Sequence, residues 1–343
     1  MTDPSGLQAA GPTAEQLIEA LADDVGNANR RHVVELLEAA VGLVSDHPSR
    51  LDLKIASAAL TEMRQAFATF APYHDRRKVT VFGSARTTPD SPAYTAAHDV
   101  AAEMASRDWM VVTGAGPGIM LAANHGAGRE MSFGVNIRLP FEQEVNALLH
   151  GDEKLVEMKY FFTRKLMLMK ESSGFVALPG GFGTQDETFE LLTLQQTGKG
   201  EPAPVVLLDV PGGTYWQRWV DFVVDELEGG GMINPLDHTL YTMTDDVQVA
   251  CDAVTSFWHN YHSIRYVGDR LVVRMQRRIP DEAIDELGDR FSHLLDSGRF
   301  ERSKPLRPEV IDEDFVDLPR IAFNYGRRHY GKLRGLIDVV NRY

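Results

Sequence analysis

The stretch that decides the fold is GFVALPGGFGTQDE, residues 174–187. Its first five residues form an apolar run, which is typical of a strand buried on both faces of a parallel sheet. Pro179 and three glycines follow, and a helical pattern begins near Gln185 and runs to about residue 198. Glycines let a backbone approach a ligand closely, and the amides at a helix start favour a phosphate. The stretch therefore predicts a strand, a phosphate-binding loop and a helix.

The neighbouring sequence repeats this alternation of strands and helices. Four more apolar runs are predicted strands, namely VTVF (79–82), WMVVT (109–113), FGVNI (133–137) and PVVLLD (204–209). Helical patterns are predicted at about 92–106, 117–129, 161–172, 214–228 and 245–262. Such alternation predicts βαβ units and an α/β fold with a Rossmann-like, doubly wound parallel sheet.

Different patterns flank this sheet region. A helix over about 51–70 is expected to turn Leu60, Met63 and Phe67 inward, and either to cover the sheet or to build an oligomer contact. Near the C-terminus, strands and helices are predicted at 271–275, 280–295, 320–325 and 327–341. The predicted regions are 1–75 (an N-terminal tail and helical region), 76–262 (the Rossmann-like nucleotide-binding domain) and 263–343 (a small α+β appendage).

Composition excludes several classes of protein. The 343 residues are 43% hydrophobic and 24% charged, which is ordinary for a globular chain. A net charge of −14 disfavours a nucleic-acid-coating role, which needs a basic face. Cys251 is the sole cysteine, so no intrachain disulfide forms, and no apolar run approaches the roughly 18 residues of a membrane span. We expect a soluble cytoplasmic protein with no nucleic-acid or membrane partner.

Three glycine-bearing loops follow predicted strands, where doubly wound sheets bind ligands. They read FGSAR (82–86), GAGPGIM (114–120) and PGGFGT (179–184). Neither a G-x-G-x-x-G spacing nor a P-loop lysine is present, which disfavours dinucleotide oxidoreduction and NTP hydrolysis. Tight turns that need a positive φ are the alternative explanation for each loop. The residues predicted to hold a phosphate are Gly180, Gly181, Gly183, Thr184, Ser84 and Gly116.

Two adjacent cations, Arg164 and Lys165, stand on the helix that leads into the decisive strand. Neighbouring residues cannot share one helix face. One cation is therefore expected to reach the site, and the other to pair elsewhere. The alternative is a solvated basic helix end.

These motifs together resemble the LOG (Lonely Guy) family, whose members have often been labelled lysine decarboxylases. The family signature is an Arg-Lys pair followed by P-G-G-x-G-T-x-x-E, matched here by Arg164-Lys165 and residues 179–187. Further similarity lies in TGAGPGIM (113–120), NIRLPFEQ (136–143) and LQQTGK (194–199). The resemblance covers about residues 76–260.

The resemblance implies hydrolysis of the N-glycosidic bond of nucleoside 5′-monophosphates, which gives a free base and ribose 5-phosphate. It implies a Rossmann-like sheet, a homodimer or higher homo-oligomer, and no cofactor. Nothing in the sequence marks a pyridoxal phosphate lysine, so no lysine decarboxylase chemistry is expected. Ala115, Leu121, Phe161 and the pair Met167-Leu168 depart from residues common in the family. The base, a cytokinin or an ordinary purine or pyrimidine, is therefore left open.

The matched positions suggest roles for individual residues. Glu187, expected in the first turn of its helix, would stabilise the positive charge that develops on the ribose and orient the attacking water. Arg164 would clamp phosphate or ribose oxygens, because a guanidinium suits bidentate contact. Met120, Phe161 and Lys165 are expected at the base and ribose pocket. A favourable charge at a helix start is the alternative explanation for Glu187.

Other functions stay open at this point. A nucleotide or pterin-cofactor carrier needs the glycine loops but no carboxylate at the ribose, and a DNA-processing protein on a related fold is disfavoured by the charge. His259 and His262 stand three apart on a predicted helix, but without acidic or cysteine company they are weak metal ligands, and no metal is expected. The basic stretch 327–334 is most simply a solvated helix face.

Overall fold

The computed structural model describes residues 13–23, 27–138, 145–326 and 330–343. Residues 139–143 of the NIRLPFEQ stretch, and Arg327, Arg328 and His329 of the basic stretch, lie outside the described residues. The chain forms two compact units. One comprises the described residues up to Ala58 and Pro305–Val316, and the other comprises Ala59–Lys304 and Asp317–Tyr343.

The first unit is helical. It contains α1 (Ala14–Asp23), α2 (Asn27–Ser45), the beginning of α3 (Arg50–Phe70) and the short α11 (Arg307–Ile311). Arg30 on α2 pairs with Glu19 and Asp23 of α1. Before α3, Ser49 and Asp52 form a reciprocal cap, with Asp52 N donating to Ser49 Oγ at 3.2 Å and Ser49 N donating to Asp52 Oδ2 at 3.0 Å.

The second unit is built on a seven-stranded sheet in which every pairing is parallel. The strands stand in the order β4-β3-β2-β1-β5-β6-β7. Their bounds are β1 Lys78–Phe82, β2 Met110–Thr113, β3 Ser132–Ile137, β4 Leu155–Met158, β5 Gly174–Ala177, β6 Val205–Leu208 and β7 Thr242–Thr244. The helices that connect these strands are α4 Pro92–Ser106, α5 Ile119–Ala127, α6 Phe161–Lys170, α7 Phe182–Gln196 and α8 Tyr215–Phe222, and α9 Val247–Ser256 follows the last strand.

Helices cover both faces of this sheet, as the two-sided apolar strands require. On one face, Val79 and Val81 pack with α4, α5 and α9 in one buried cluster. On the other face, Phe82 and Phe175 pack with the end of α3 and with α6, α7 and α8. The predicted α/β fold with a doubly wound, Rossmann-like sheet is thus confirmed.

The strand order reverses direction between β1 and β5. The chain runs outward from β1 to β4 and then returns to lay β5 against the other side of β1, with Val79 opposite both Val111 and Gly174. Loops that follow the strands on either side of such a reversal diverge, and a crevice opens between them at the carboxyl edge of the sheet. The crevice here is flanked by the loops after Phe82 and Ala177.

A smaller antiparallel sheet follows, in the order β10-β11-β9-β8. Its strands are β8 Tyr261–Val267, β9 Arg270–Met275, β10 Leu295–Arg302 and β11 Arg320–Tyr325. Helices α10 (Asp281–Phe291) and α12 (Gly331–Val340) pack on it, with Leu287 and Leu336 fully buried. The α+β character predicted for this region is confirmed, although β8 and β10 were not predicted.

Two predicted helices end earlier than expected. The helix predicted over 245–262 ends at Ser256, and β8 begins at Tyr261, so His259 and His262 do not share a helix face. The helix predicted over 280–295 ends at Phe291. Both following strands contain polar residues that stay partly exposed, which weakens the apolar signal of a strand.

Helix α3 turns only part of its predicted face inward, since Met63 packs against the core as predicted but Leu60 and Phe67 do not. Leu60 and Phe67 are 44% and 43% exposed, whereas Glu62 is buried. The Glu62 carboxylate accepts hydrogen bonds from Lys159 N (3.0 Å) and Thr163 Oγ1 (2.7 Å) at the start of α6. These hydrogen bonds satisfy the buried Glu62 carboxylate, which the helical periodicity of the sequence predicts to face solvent. Among the described residues, no helix combines the length and apolar character that crossing a membrane requires.

Candidate active site

A cavity of about 820 Å³ opens at the point where the strand order reverses. All three glycine-bearing loops line it, together with residues from the end of β3 and the start of α6. Ten of the eleven predicted site residues lie in its wall, namely Ser84, Gly116, Met120, Phe161, Arg164, Gly180, Gly181, Gly183, Thr184 and Glu187. The topology thus gathers residues that are up to about a hundred positions apart in the chain.

The loop between β2 and α5 makes room for a cation. A Cβ built on Gly114 would stand 2.1 Å from Arg164 Nη2 and 2.8 Å from Met120 Sδ, so a larger residue would displace the guanidinium. Gly118 takes a φ of +65°, and the next amide, Ile119 N, donates to Ser84 O at 3.0 Å. The first and second loops are therefore bonded to each other beside the cavity.

The third loop presents the open start of a helix. Helix α7 begins at Phe182 rather than near Gln185, and no side chain in the described ranges caps it. The first amides of an α-helix have no partner within the helix, and those of α7 belong to residues that line the cavity, so they are available to an anion. A Cβ on Gly180 would lie 2.1 Å from Thr184 Oγ1, and Ser84 N donates to Pro179 O at 3.2 Å. Glycine is thus required where the loop meets its own helix.

The side chains of Arg164 and Lys165 point in different directions, as predicted. Arg164 reaches the cavity, and its Nε donates to Val135 O at 3.0 Å. Burial lowers the pKa of this guanidinium, and the neighbouring Glu187 carboxylate acts in the opposite direction. Lys165 points elsewhere, since its ammonium pairs with Asp186 (2.9 Å) and with Glu190. The structure therefore does not bring Lys165 to the cavity wall, where the base and ribose pocket was predicted.

Glu187 is the buried acid of the site. Only 6% of the residue is exposed, and its Oε2 atom has no hydrogen-bond partner among the described residues. Burial raises its pKa to about 7, against the opposing pull of the Arg164 and Lys165 charges. Because α7 starts at Phe182, Glu187 stands in the second helical turn and not in the first. A carboxyl group with a pKa near neutrality, beside a cation in a cleft, suits proton transfer at neutral pH.

Several further residues that were not predicted as site residues also line the cavity. Asn136 is buried at the end of β3, with Ile137 beside it, and Arg86 is exposed at the end of the first loop. Arg86 belonged to a loop already quoted, so its charge was an available signal. Asn136 begins the NIRLPFEQ stretch that was quoted for its resemblance to the family, but a polar residue within a strand gives no indication of which way it faces.

Metal binding receives no support. Within the described ranges, no group of three or more His, Cys, Asp or Glu side chains is arranged to hold a metal ion. His262 Nδ1 lies 2.9 Å from Ser263 Oγ on β8, away from the cavity lining.

Comparison with known proteins agrees with this geometry. The family model described as "Possible lysine decarboxylase" matches residues 114–254. A cytokinin riboside 5′-monophosphate phosphoribohydrolase of Arabidopsis thaliana (LOG3) is 31% identical over 163 residues, 46% of this chain and 73% of that protein. A probable enzyme of the same description from A. thaliana (LOG6) is 33% identical over 149 residues, 42% of this chain and 71% of that protein.

Among solved structures, the molybdenum cofactor carrier protein of Chlamydomonas reinhardtii is similar at 24% identity and a TM-score of 0.37. The match covers 52% of this chain and 95% of that one. The residues matched by the family model include both parts of the signature, Arg164-Lys165 and residues 179–187. From the signature, the cavity that it lines and these relatives, we conclude that the chain belongs to the LOG (Lonely Guy) family.

Proposed function

We propose that this protein hydrolyses the N-glycosidic bond of nucleoside 5′-monophosphates and releases a free base and ribose 5-phosphate. One observation carries the proposal. Glu187, a buried acid with a pKa near 7, lines the same cavity as Arg164 and the uncapped start of α7. An anion-binding helix start beside an acid–base group is the pair of features that this reaction needs.

The phosphate binds first in this mechanism. The amides that open α7, with Gly180, Gly181, Gly183 and Thr184, hold the 5′-phosphate, and Ser84 and Gly116 contribute from the neighbouring loops. The residue that precedes α7 is Gly181, which has no side chain to compete with a phosphate for these amides. The ribose is then directed toward Arg164 and Glu187.

Bond cleavage follows at C1′. The C1′–N bond breaks, its electron pair leaves with the base, and positive charge develops on the sugar ring. The Glu187 carboxylate stabilises that charge and takes a proton from the water whose oxygen bonds to C1′. The departing base gains a proton on nitrogen from solvent, and Glu187 returns the proton of the attacking water to solvent, so the acid is regenerated. Arg164 holds ribose or phosphate oxygens in the reacting geometry, which a planar guanidinium does with two parallel hydrogen bonds.

Met120 and Phe161 lie in the wall of the cavity and form the proposed base pocket. The names of the relatives make a cytokinin ribotide one candidate substrate, and ordinary purine and pyrimidine nucleotides are the others. No cofactor enters the proposed mechanism.

The test is a substrate panel. Purified protein is incubated with AMP, GMP, CMP, UMP and a cytokinin ribotide, and free base is detected by chromatography. Release of base from at least one nucleotide, with loss of release in Glu187→Gln, is the expected result. A protein that binds these nucleotides and releases no base would instead be a carrier.

We also propose that the protein works as a homodimer or higher homo-oligomer. Large apolar side chains stand exposed on α6 and at the start of α7, with Phe182 96% exposed and Phe162 and Leu166 about half exposed. Such a cluster is typical of a surface that another chain covers. Light scattering coupled to size exclusion tests this, and Leu166→Glu is expected to shift the mass toward the monomer.

A further inference from the structure

A single hydroxyl group spans the two ends of the proposed phosphate-binding turn. The Tyr215 hydroxyl donates a hydrogen bond to Gly180 O at 2.6 Å and accepts one from Gln185 Nε2 at 2.6 Å. Gly180 precedes the turn and Gln185 follows it, with residues 181–184 between them. Tyr215 belongs to α8, the helix after the neighbouring strand β6.

The bond to Gly180 O determines the direction of an amide. In a planar trans peptide, the carbonyl oxygen and the next N–H point to opposite sides. Holding Gly180 O toward Tyr215 therefore turns the Gly181 N–H away from Tyr215. Gly180 and Gly181 line the main cavity and Tyr215 does not, so that N–H is directed toward the cavity side.

Tyr215 is itself firmly held. Its ring packs edge-on against Trp216, with ring centroids 4.9 Å apart and planes at 89°. Trp216 is fully buried, and its indole Nε1 donates to Leu208 O at 3.2 Å. The Trp216 amide also donates to Asp209 Oδ2 at 3.1 Å. A hydroxyl on such a support constrains the loop rather than following it.

We propose that Tyr215 is a positioning residue that preorganises the phosphate-binding turn for its anion. It contacts no part of the substrate in this role, and it acts through the Gly180–Gly181 peptide and the Gln185 side chain. The inference rests on the proposed function for its kinetic consequences, but phosphate binding tests it separately.

The test is Tyr215→Phe, which keeps the ring and removes the hydroxyl. Loss of one hydrogen bond costs about 1 kcal/mol, which corresponds to a roughly fivefold change in a dissociation constant. We expect the KM for the preferred nucleotide and the Kd for ribose 5-phosphate each to rise about fivefold, with kcat and the Kd for the free base unchanged within twofold. Gln185→Leu is expected to weaken ribose 5-phosphate binding in the same direction.

Tyr241→Phe is the matched control. Its hydroxyl also makes a hydrogen bond, at 2.7 Å to His238 Nδ1, and its ring also packs on a tryptophan, Trp219, but it lies outside the cavity wall. This variant is expected to leave both constants unchanged, even if its Tm falls as much as that of Tyr215→Phe.

The outcomes separate the two proposals. Ribose 5-phosphate affinity within twofold of wild type in both Tyr215→Phe and Gln185→Leu would overturn the positioning role. Equal losses in the Tyr241→Phe control would overturn it too, since they would reflect general destabilisation. Wild-type protein that binds ribose 5-phosphate and releases no base would overturn the proposed hydrolysis, while the binding measurements still decide the role of Tyr215.

Discussion

Two loops of the parallel sheet begin with the same three residues and serve different purposes. Pro179-Gly180-Gly181 follows β5, and Pro211-Gly212-Gly213 follows β6, the next strand in the sheet. Each loop leads into a helix. At the second loop, the Asp209 carboxylate accepts hydrogen bonds from Val210 N (2.9 Å) and Trp216 N (3.1 Å). At the first loop, no side chain in the described ranges caps the helix.

The difference teaches that a carboxylate of the same chain can occupy the start of a helix after a glycine loop, and the anion site proposed at α7 depends on the absence of such a carboxylate among the described residues. A Cβ on Gly213 would stand 2.1 Å from Asp209 Oδ1, so glycine there makes room for a resident carboxylate. Glu62 lies beside the start of α6, where its carboxylate accepts hydrogen bonds from Lys159 N and from the Thr163 hydroxyl. Among the described residues, no carboxylate bonds to the first amides of α7, and Glu187 Oε2 has no hydrogen-bond partner.

The largest expected effect comes from Glu187→Gln. Removal of an acid–base group lowers kcat by about 10²- to 10⁴-fold, while the open helix start still binds the phosphate. Steady-state kinetics measure the loss of kcat, and titration with ribose 5-phosphate measures the retained phosphate binding. Asp186→Asn is the control, because Asp186 is exposed and paired with Lys165. A Glu187→Gln enzyme as fast as wild type would remove Glu187 from the mechanism.

The Glu187 proton also ties stability to pH. The folded pKa of about 7 lies above the ordinary value of 4.5, so the folded state keeps a proton that the unfolded state loses. Stability from this group therefore falls as pH rises from about 4.5 to 7 and stays low above 7. Between pH 5 and 8, wild type should lose roughly 2–3 kcal/mol of stability relative to Glu187→Gln.

Denaturant unfolding of both proteins across that pH range measures this difference. In the same range, kcat/KM is expected to rise with pH and level off above about 7, since the proposed role requires the carboxylate. A stability difference that does not change with pH would contradict the raised pKa.

Matched glycine substitutions compare the two loops directly. Gly180→Ala and Gly213→Ala each place a Cβ 2.1 Å from an oxygen of the same loop region. Overpacking of this kind costs about 1–3 kcal/mol. In Gly180→Ala the cost should appear as weaker phosphate binding and a higher KM. In Gly213→Ala it should appear as a lower free energy of unfolding with KM unchanged, and a reversed pattern would refute the comparison.

The smallest effect is expected from Asp209→Asn. The amide retains one acceptor oxygen but loses the charge and the second acceptor, which costs about 1 kcal/mol of stability. KM should stay within twofold of wild type, because the start of α8 is not a substrate site. Thermal unfolding measures the stability, and nucleotide kinetics measure KM. A rise in KM of more than twofold would show that this loop also contributes to ligand binding.

Much of the fold was predictable because the buried strands are continuous apolar runs. Strands β1, β2, β3, β5 and β6 were predicted within about a residue at each end. Strand β4 is short and alternates in exposure, and β8 is mostly half exposed, so neither carries that signal. The early start of α7 was missed because Gly183, a poor helix former, stands in its first turn.

The alternation of five buried strands with helices, the three glycine loops and the Arg-Lys and P-G-G-x-G-T-x-x-E pattern were determined by the sequence alone, since each depends on neighbouring residues and their propensities. Tertiary structure decided that Arg164 enters the cavity while Lys165 pairs outside it, that Asp209 fills one helix start while another stays open, and that burial raises the pKa of Glu187. The burial of a side chain and the capping of a helix start depend on how distant segments pack, and local sequence does not specify them.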